Sequence, residues 1–139
     1  MAVILDLKAA IKKQRLLLDT TLLIHEFKRQ VSVLGEIPRP QRATSPVAVW
    51  EFVHLEDGQM IAHAERMERR AWMDQQGIRS VWMSLSSEQS FQALLWHTNC
   101  PVGVADCLLA AESISRKWPL VTRNVRHFDD VDGMWVVPY

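Results

Sequence analysis

Short apolar runs of strand length alternate with stretches of helical periodicity along most of this chain. Residues 15–19 read RLLLD, residues 78–85 alternate between apolar and polar, residues 120–122 read LVT, and the chain closes on MWVVPY. Helical patterns separate these runs, and parallel strands need connections of that length. The order predicts an α/β fold with a mostly parallel central sheet. Right-handed crossovers put helices on both faces, giving a three-layer α/β/α arrangement.

The helical stretches can be placed one by one. Ile4, Leu7 and Ile11 fall at helical spacing with Lys8, Lys12 and Lys13 opposite, which predicts an amphipathic helix over 3–14. Leu22, Leu23, Phe27, Val31 and Leu34 form a second stripe, and Gly35 suits its end. Residues 37–44, IPRPQRAT, read as a loop around Pro38 and Pro40. Ser45 as N-cap and Pro46 at the first helical position open a helix through VAVWEFVH, and Gly58 marks a break. Residues 61–77 form a charge-laced helix closed by Gly77, and Ser86 opens another that runs to His97. Asn99-Cys100-Pro101 reads as a turn. The alanine-rich segment VGVADCLLAAESISRKW is the best helix former in the chain, and Pro119 stops it. RNVRHFDDVDG, residues 123–133, reads as a polar loop with one short helical turn.

A chain of 139 residues suits one domain at roughly 100–200 residues each. The reading is a single domain over 15–139 behind an N-terminal amphipathic extension, residues 1–14. Sixteen basic and 16 acidic side chains cancel, so gross basicity does not mark a nucleic-acid binder. Local patches remain open, and residues 1–44 hold eight basic and four acidic side chains. Cys100 and Cys107 have no CxxC spacing and read as reduced thiols of a cytoplasmic protein. No apolar run approaches the roughly 18 residues of a membrane span. MAVILDLKAAIKKQ is a poor secretory leader, because Asp6 interrupts it and no basic start precedes it.

Open α/β sheets bind ligands beyond the carboxyl ends of their strands. Asp19 ends the first of these apolar runs, Glu51 lies in the second turn of the helix that Ser45 opens, and Asp106 lies in the first turn of the alanine-rich helix. Asn124 follows the LVT run at another carboxyl end. Each has an ordinary reading as a turn, cap or dipole-favoured residue. Glu51 is the least ordinary, flanked by bulky apolar residues in VWEFV. Three carboxylates converging on one edge would repel unless a hard cation joined them, and oxygen ligands suit Mg2+ or Mn2+. Such an ion activates water and stabilises charge developing at phosphorus.

In that order, LLLDTTLLIHEF, SPVAVWEF, VGVADCLLAA, LVTRNVRHF and VDGMWVVPY resemble a PIN domain of the VapC toxin type over residues 16–138. The resemblance implies a three-layer α/β/α fold and a metal-dependent ribonuclease, the toxin of a toxin–antitoxin pair. It makes Asp19, Glu51 and Asp106 the acids that hold Mg2+ or Mn2+. Asn124 joins them as a catalytic residue, with Thr21, Thr122, Arg123 and Asp129 in support. It also implies an RNA substrate, a cognate antitoxin protein and a homodimer, with no membrane association. Two departures stand out: DTT replaces the usual DTN or DTS at 19–21, and His127 stands where an acid often precedes the phenylalanine. Asp129 or Asp130 is the nearest replacement for that acid.

Arg123, Arg126 and the basic residues before position 44 are candidate phosphate contacts or ordinary solvated surface. The five histidines show no zinc spacing, and His25 and His54 each lie near a proposed acid in the sequence. Cys107 reads as a packing thiol. The six tryptophans read mostly as core, with Trp50 and Trp135 as candidates for base stacking. Two function classes follow: a metal-dependent ribonuclease, and a catalytically weak PIN-like module that binds RNA or a partner. A magnesium-dependent phosphotransfer domain is remoter, because Asp19-Thr20-Thr21 is not a DxD pair.

Overall fold

The structure is a computed structural model. It describes residues 1–12, 14–82, 84–97 and 103–139, with the side chains of 94–97 excepted. The turn expected at 99–101 lies outside the described residues.

In chain order the elements are β1 (Val3–Ile4), α1 (Leu7–Ile11), β2 (Leu16–Leu18), α2 (Thr20–Phe27), β3 (Arg42–Thr44), α3 (Pro46–His54), β4 (Leu55–Glu56) and β5 (Gln59–Met60). They continue with α4 (His63–Gln75), β6 (Arg79–Ser80), α5 (Leu85–His97), α6 (Val104–Arg116), β7 (Leu120–Thr122) and β8 (Trp135–Pro138). Among the described residues, six strands form one sheet in the order β1-β8-β7-β2-β3-β6, and every pairing in it is parallel. β4 and β5 make a separate antiparallel hairpin turned by Asp57 and Gly58, both at positive φ. The three-layer α/β/α expectation is met.

The central strands are buried on both faces, which is why they read as unbroken apolar runs. Their side chains alternate between two cores. Leu16, Leu18, Val121 and Val137 join the core built with Leu22, Leu23, Phe52 and Met73 of α2, α3 and α4. Leu17, Leu120 and Val136 join the opposite core, with Leu109, Ala110 and Ala111 of α6 and with Phe128.

Three local expectations are corrected. Residues 3–14 are not one helix. Val3 and Ile4 pair with Trp135 and Val136 of β8, and only Leu7–Ile11 are helical, capped by Asp6, whose Oδ1 accepts the Ala9 amide at 2.7 Å. The lysine stripe could not show that a free strand edge was waiting for this segment. The second helix ends at Phe27 rather than Gly35; Arg29 turns the chain at φ 58°, and the Glu26 carboxylate receives the Leu34 amide at 2.9 Å. Residues 37–44 are not all loop, because Arg42–Thr44 form β3, buried beside β2. Arg42 hides there because its guanidinium donates to the carbonyls of Ile37, Leu34 and Gln76 at 2.9, 2.9 and 2.7 Å. That satisfaction comes from distant backbone, so the segment looks polar in sequence.

The remaining helices follow their signals. Ser45 caps α3, its hydroxyl accepting the Ala48 amide at 3.1 Å. Gly77 follows α4 at φ 66°, and a Cβ there would meet the Arg39 guanidinium at 2.9 Å. Among the described residues of the expected strand at 78–85, Arg79–Ser80 pair with β3. Cys107 is corrected as well: it is disulfide-bonded rather than a reduced thiol, a pairing that no spacing motif announces, while Cys100 lies outside the described residues.

Candidate functional site

β2 and β7 are neighbours in the sheet, although almost the whole chain separates them. From β2 the chain steps outward to β3, and later returns to β7 on β2's other side. This is a topological switch point, where a crevice opens beyond the carboxyl ends of the strands. Asp19 follows β2 there, and Arg123 and Asn124 follow β7.

Asp19 is nearly buried and has φ −74° and ψ 155°, the extended geometry of an N-cap. Its Oδ1 accepts the Thr20 amide at 2.7 Å, and its Oδ2 accepts the Thr122 hydroxyl at 2.6 Å. The Asn124 amide donates in turn to Thr122 Oγ1 at 3.1 Å. One hydroxyl therefore links the β2 acid to the loop after β7.

Glu51 and Asp106 face the same place from α3 and α6. The Thr20 hydroxyl donates to Glu51 Oε1 at 3.0 Å, so the residue beside Asp19 holds the second acid. Burial pushes the Asp19 carboxyl up to about 6, and the charges of Asp106 and Glu51 add to that rise against the opposing hydrogen bonds from Thr122 and Thr20. Asp19 thus feels both other acids through space. Burial and like charge together disfavour its ionised form.

The third acid has a partner the sequence did not announce. His127 Nδ1 donates to Asp106 Oδ2 at 3.0 Å, with the histidine side chain 45% exposed and the aspartate 26%. His127 belongs to the short 3-10 turn Val125–Phe128, which Phe128 anchors in the second core. The side chain that replaces an expected acid therefore still reaches the acid site.

The structure brings Asp19, Glu51, Asp106 and Thr122 together, with Asn124 attached through its backbone. The Asn124 side chain is exposed, and so are Asp129 and Asp130, which enter none of the bonds linking the acids. Thr21 is half-buried, but it is Thr20 whose hydroxyl meets a carboxylate. Arg123 lies with its guanidinium 5.2 Å over the ring of Tyr139, and the Tyr139 hydroxyl is hydrogen-bonded to His25 Nδ1 at 3.2 Å. Thr20, His127, His25 and Tyr139 are the residues around the site that sequence reasoning did not assign. Two of them carried a signal: His25 by its nearness to Asp19 in the chain, and His127 as the departure from an expected acid. Trp50 is half-exposed and stacked on His54 at 5.3 Å rather than buried.

The acids supply hard oxygen donors, the chemistry that suits Mg2+ or Mn2+. Among the described residues, no three His, Cys, Asp or Glu side chains crowd closely enough to ligate one ion directly. Mg2+ usually keeps several waters and needs only one or two carboxylates. An acid set that acts across space fits such an ion, and a cation would offset the burial that chiefly raises Asp19 and the lesser repulsion from Asp106 and Glu51.

A parallel α/β/α sheet whose acids meet at the switch point defines a class of open-sheet domains with a candidate metal-binding edge. The PIN domain family model matches residues 16–134, and the chain belongs to that family. No curated protein matches the sequence. Among solved structures, a DNA-bound VapBC from Salmonella typhimurium aligns at TM-score 0.72 and 19% identity, covering 91% of this chain and 98% of that one. A toxin–antitoxin complex from Klebsiella pneumoniae aligns at TM-score 0.64 and 24% identity, covering 89% and 98%. VapBC-1 from nontypeable Haemophilus influenzae aligns at TM-score 0.69 and 16% identity, covering 88% and 96%. At these identities the likeness is one of fold.

Proposed function

We propose that this chain is a Mg2+- or Mn2+-dependent ribonuclease of the VapC type, the toxin of a toxin–antitoxin pair. One observation carries the reading: at the switch point Thr20 ties Asp19 to Glu51, Thr122 ties it to the loop after β7, and Asp19 lies within electrostatic reach of Glu51 and Asp106. Membership of the PIN family and a fold shared with VapBC complexes support it. The same likeness supports a cognate antitoxin as partner, and the family resemblance adds a homodimer. Among the described residues, no helix is long and apolar enough to cross a membrane.

In this reading Asp19, Glu51 and Asp106 would hold the ion, which would supply water activation and charge neutralisation at phosphorus. The chain's own residues do the rest. Thr122 and the Thr20 amide fix both oxygens of Asp19, so the carboxylate presents one orientation. The Thr20 hydroxyl fixes Glu51, and His127 fixes Asp106. A carboxylate so held can accept the proton of an attacking water at neutral pH.

The test is cleavage of a labelled RNA pool by the purified chain with Mg2+, Mn2+ or EDTA, beside Asp19→Asn and Asp106→Asn. Metal-dependent cutting lost in both variants is the expected result. A second reading, a PIN-like module that binds RNA or a partner without turnover, is favoured by His127 sitting on Asp106. A folded chain that binds RNA but cuts nothing with either metal would establish that reading instead.

A further inference from the structure

β7 and β8 run parallel with Thr122 level with Pro138, so the residues that follow, Arg123 and Tyr139, leave the sheet side by side at its carboxyl edge. The Arg123 guanidinium settles 5.2 Å over the Tyr139 ring. The Tyr139 hydroxyl is hydrogen-bonded to His25 Nδ1 at 3.2 Å, and the two rings meet edge-on with centroids 6.3 Å apart. His25 lies on α2, the helix that Asp19 caps. The ring also packs against the first core, which fixes its position from below. Tyr139 therefore joins the end of β8, the loop after β7 and the helix that Asp19 caps.

This assembly borders the acids. Arg123 directly follows Thr122, whose hydroxyl holds Asp19, and the Asp19 charge is felt at Tyr139. Among the described residues Arg123 forms no ion pair with a carboxylate; its exposed guanidinium rests on an aromatic face instead. An anionic polymer approaching three acids needs a fixed positive charge beside them. A planar guanidinium already held in place loses less rotamer freedom when it grips phosphate oxygens.

We infer that Tyr139 is a positioning residue: stacked on Arg123 and tied to His25, it holds that guanidinium beside the acid site as the clamp for an RNA phosphate. The inference rests on the ribonuclease reading and adds the substrate group gripped and the residue that aims the grip.

The experiment measures binding of a fluorescent single-stranded RNA oligonucleotide to the full chain carrying Asp19→Asn, by anisotropy between 50 and 200 mM salt, with thermal unfolding of every variant. Arg123→Ala is expected to weaken binding about tenfold and to lower the slope of log affinity against log salt by about 0.7, one single-strand phosphate contact. Tyr139→Ala is expected to weaken binding about fivefold, while Tyr139→Phe, which keeps the ring, stays within about twofold. In the active chain the Tyr139→Ala loss is expected in KM rather than kcat. A Tyr139→Ala chain that melts earlier but binds RNA unchanged would overturn the inference, because the ring would then be packing alone. An unchanged slope in Arg123→Ala would overturn it too. A folded chain with no affinity for RNA would instead overturn the ribonuclease reading, and the clamp with it.

Discussion

Asp19 shows at the residue scale how a site can be set against the stability of its own fold. With its carboxyl raised to about 6 from an ordinary 3.8, the native chain keeps this proton over a pH range where the unfolded chain has released it. The folded state then binds more protons than the unfolded one, so stability falls as pH rises from about 4 to 6. At neutral pH the ionised group costs on the order of 3 kcal/mol. Asp19→Asn removes the charge and keeps an oxygen for the Thr20 amide. In EDTA at pH 7 this variant is expected to be more stable than the parent by about 1–2 kcal/mol, with the gap closing toward pH 4. Added Mg2+ is expected to raise the melting temperature of the parent and not of the variant. Thermal unfolding from pH 4 to 7 with and without metal checks both; equal responses to Mg2+ would remove Asp19 from the proposed metal set.

At the element scale, the charged face of α4 hides one residue that is not surface. Arg69 is fully buried. Its Nη1 donates to the Phe52 carbonyl at 2.9 Å, its Nη2 reaches Glu56 at 3.2 Å, and the guanidinium lies 5.0 and 5.1 Å from the rings of Phe27 and Phe52. This group fastens α4 to α2, α3 and the hairpin. Lys28 also pairs with Glu56, and together these cations hold the Glu56 carboxyl below its ordinary range. Arg69→Ala leaves Glu56 half-paired and a void between two phenylalanines, and is expected to cost about 3–4 kcal/mol in urea unfolding. A loss below about 1 kcal/mol would mean that water replaces the guanidinium at little cost. In ERMERRAW nothing separates Arg69 from Arg66 and Arg70 except its angular position on the helix. The buried direction was decided by the aromatic side chains of α2 and α3.

The whole molecule depends on its first residues more than their helical spacing suggested. The Val3 amide donates to the Met134 carbonyl and the Leu5 amide to the Val136 carbonyl, each at 2.8 Å, and the N-terminal ammonium pairs with Asp132. β1 thereby covers the edge of β8, a strand with Val136 and Val137 in the two cores. Removing residues 1–5 opens that edge to pairing with another chain. The shortened protein is expected to lose about 1–3 kcal/mol and to scatter light at concentrations where the parent does not. Chemical unfolding and light scattering of the two chains side by side are the check.

The sequence alone determined the layers. Leu16–Leu18, Leu120–Val121 and Val136–Val137 are apolar because they are covered on both faces, and helices of legible periodicity and capping lie between them. It also determined where each acid falls along its element, since a strand end, the second turn of one helix and the first turn of another are local features. Tertiary structure decided what those acids meet. Thr122 reaches Asp19 across 103 positions, Tyr139 reaches His25 across 114, and His127 reaches Asp106 by a turn whose course no periodicity describes. The burial of Arg42 and Arg69, and the use of Val3–Ile4 as a strand, belong to the same group. Their partners are backbone carbonyls, rings and a strand edge supplied from elsewhere in the chain. Periodicity reports the face a residue turns inward, while a through-space partner is set by how the finished layers stack.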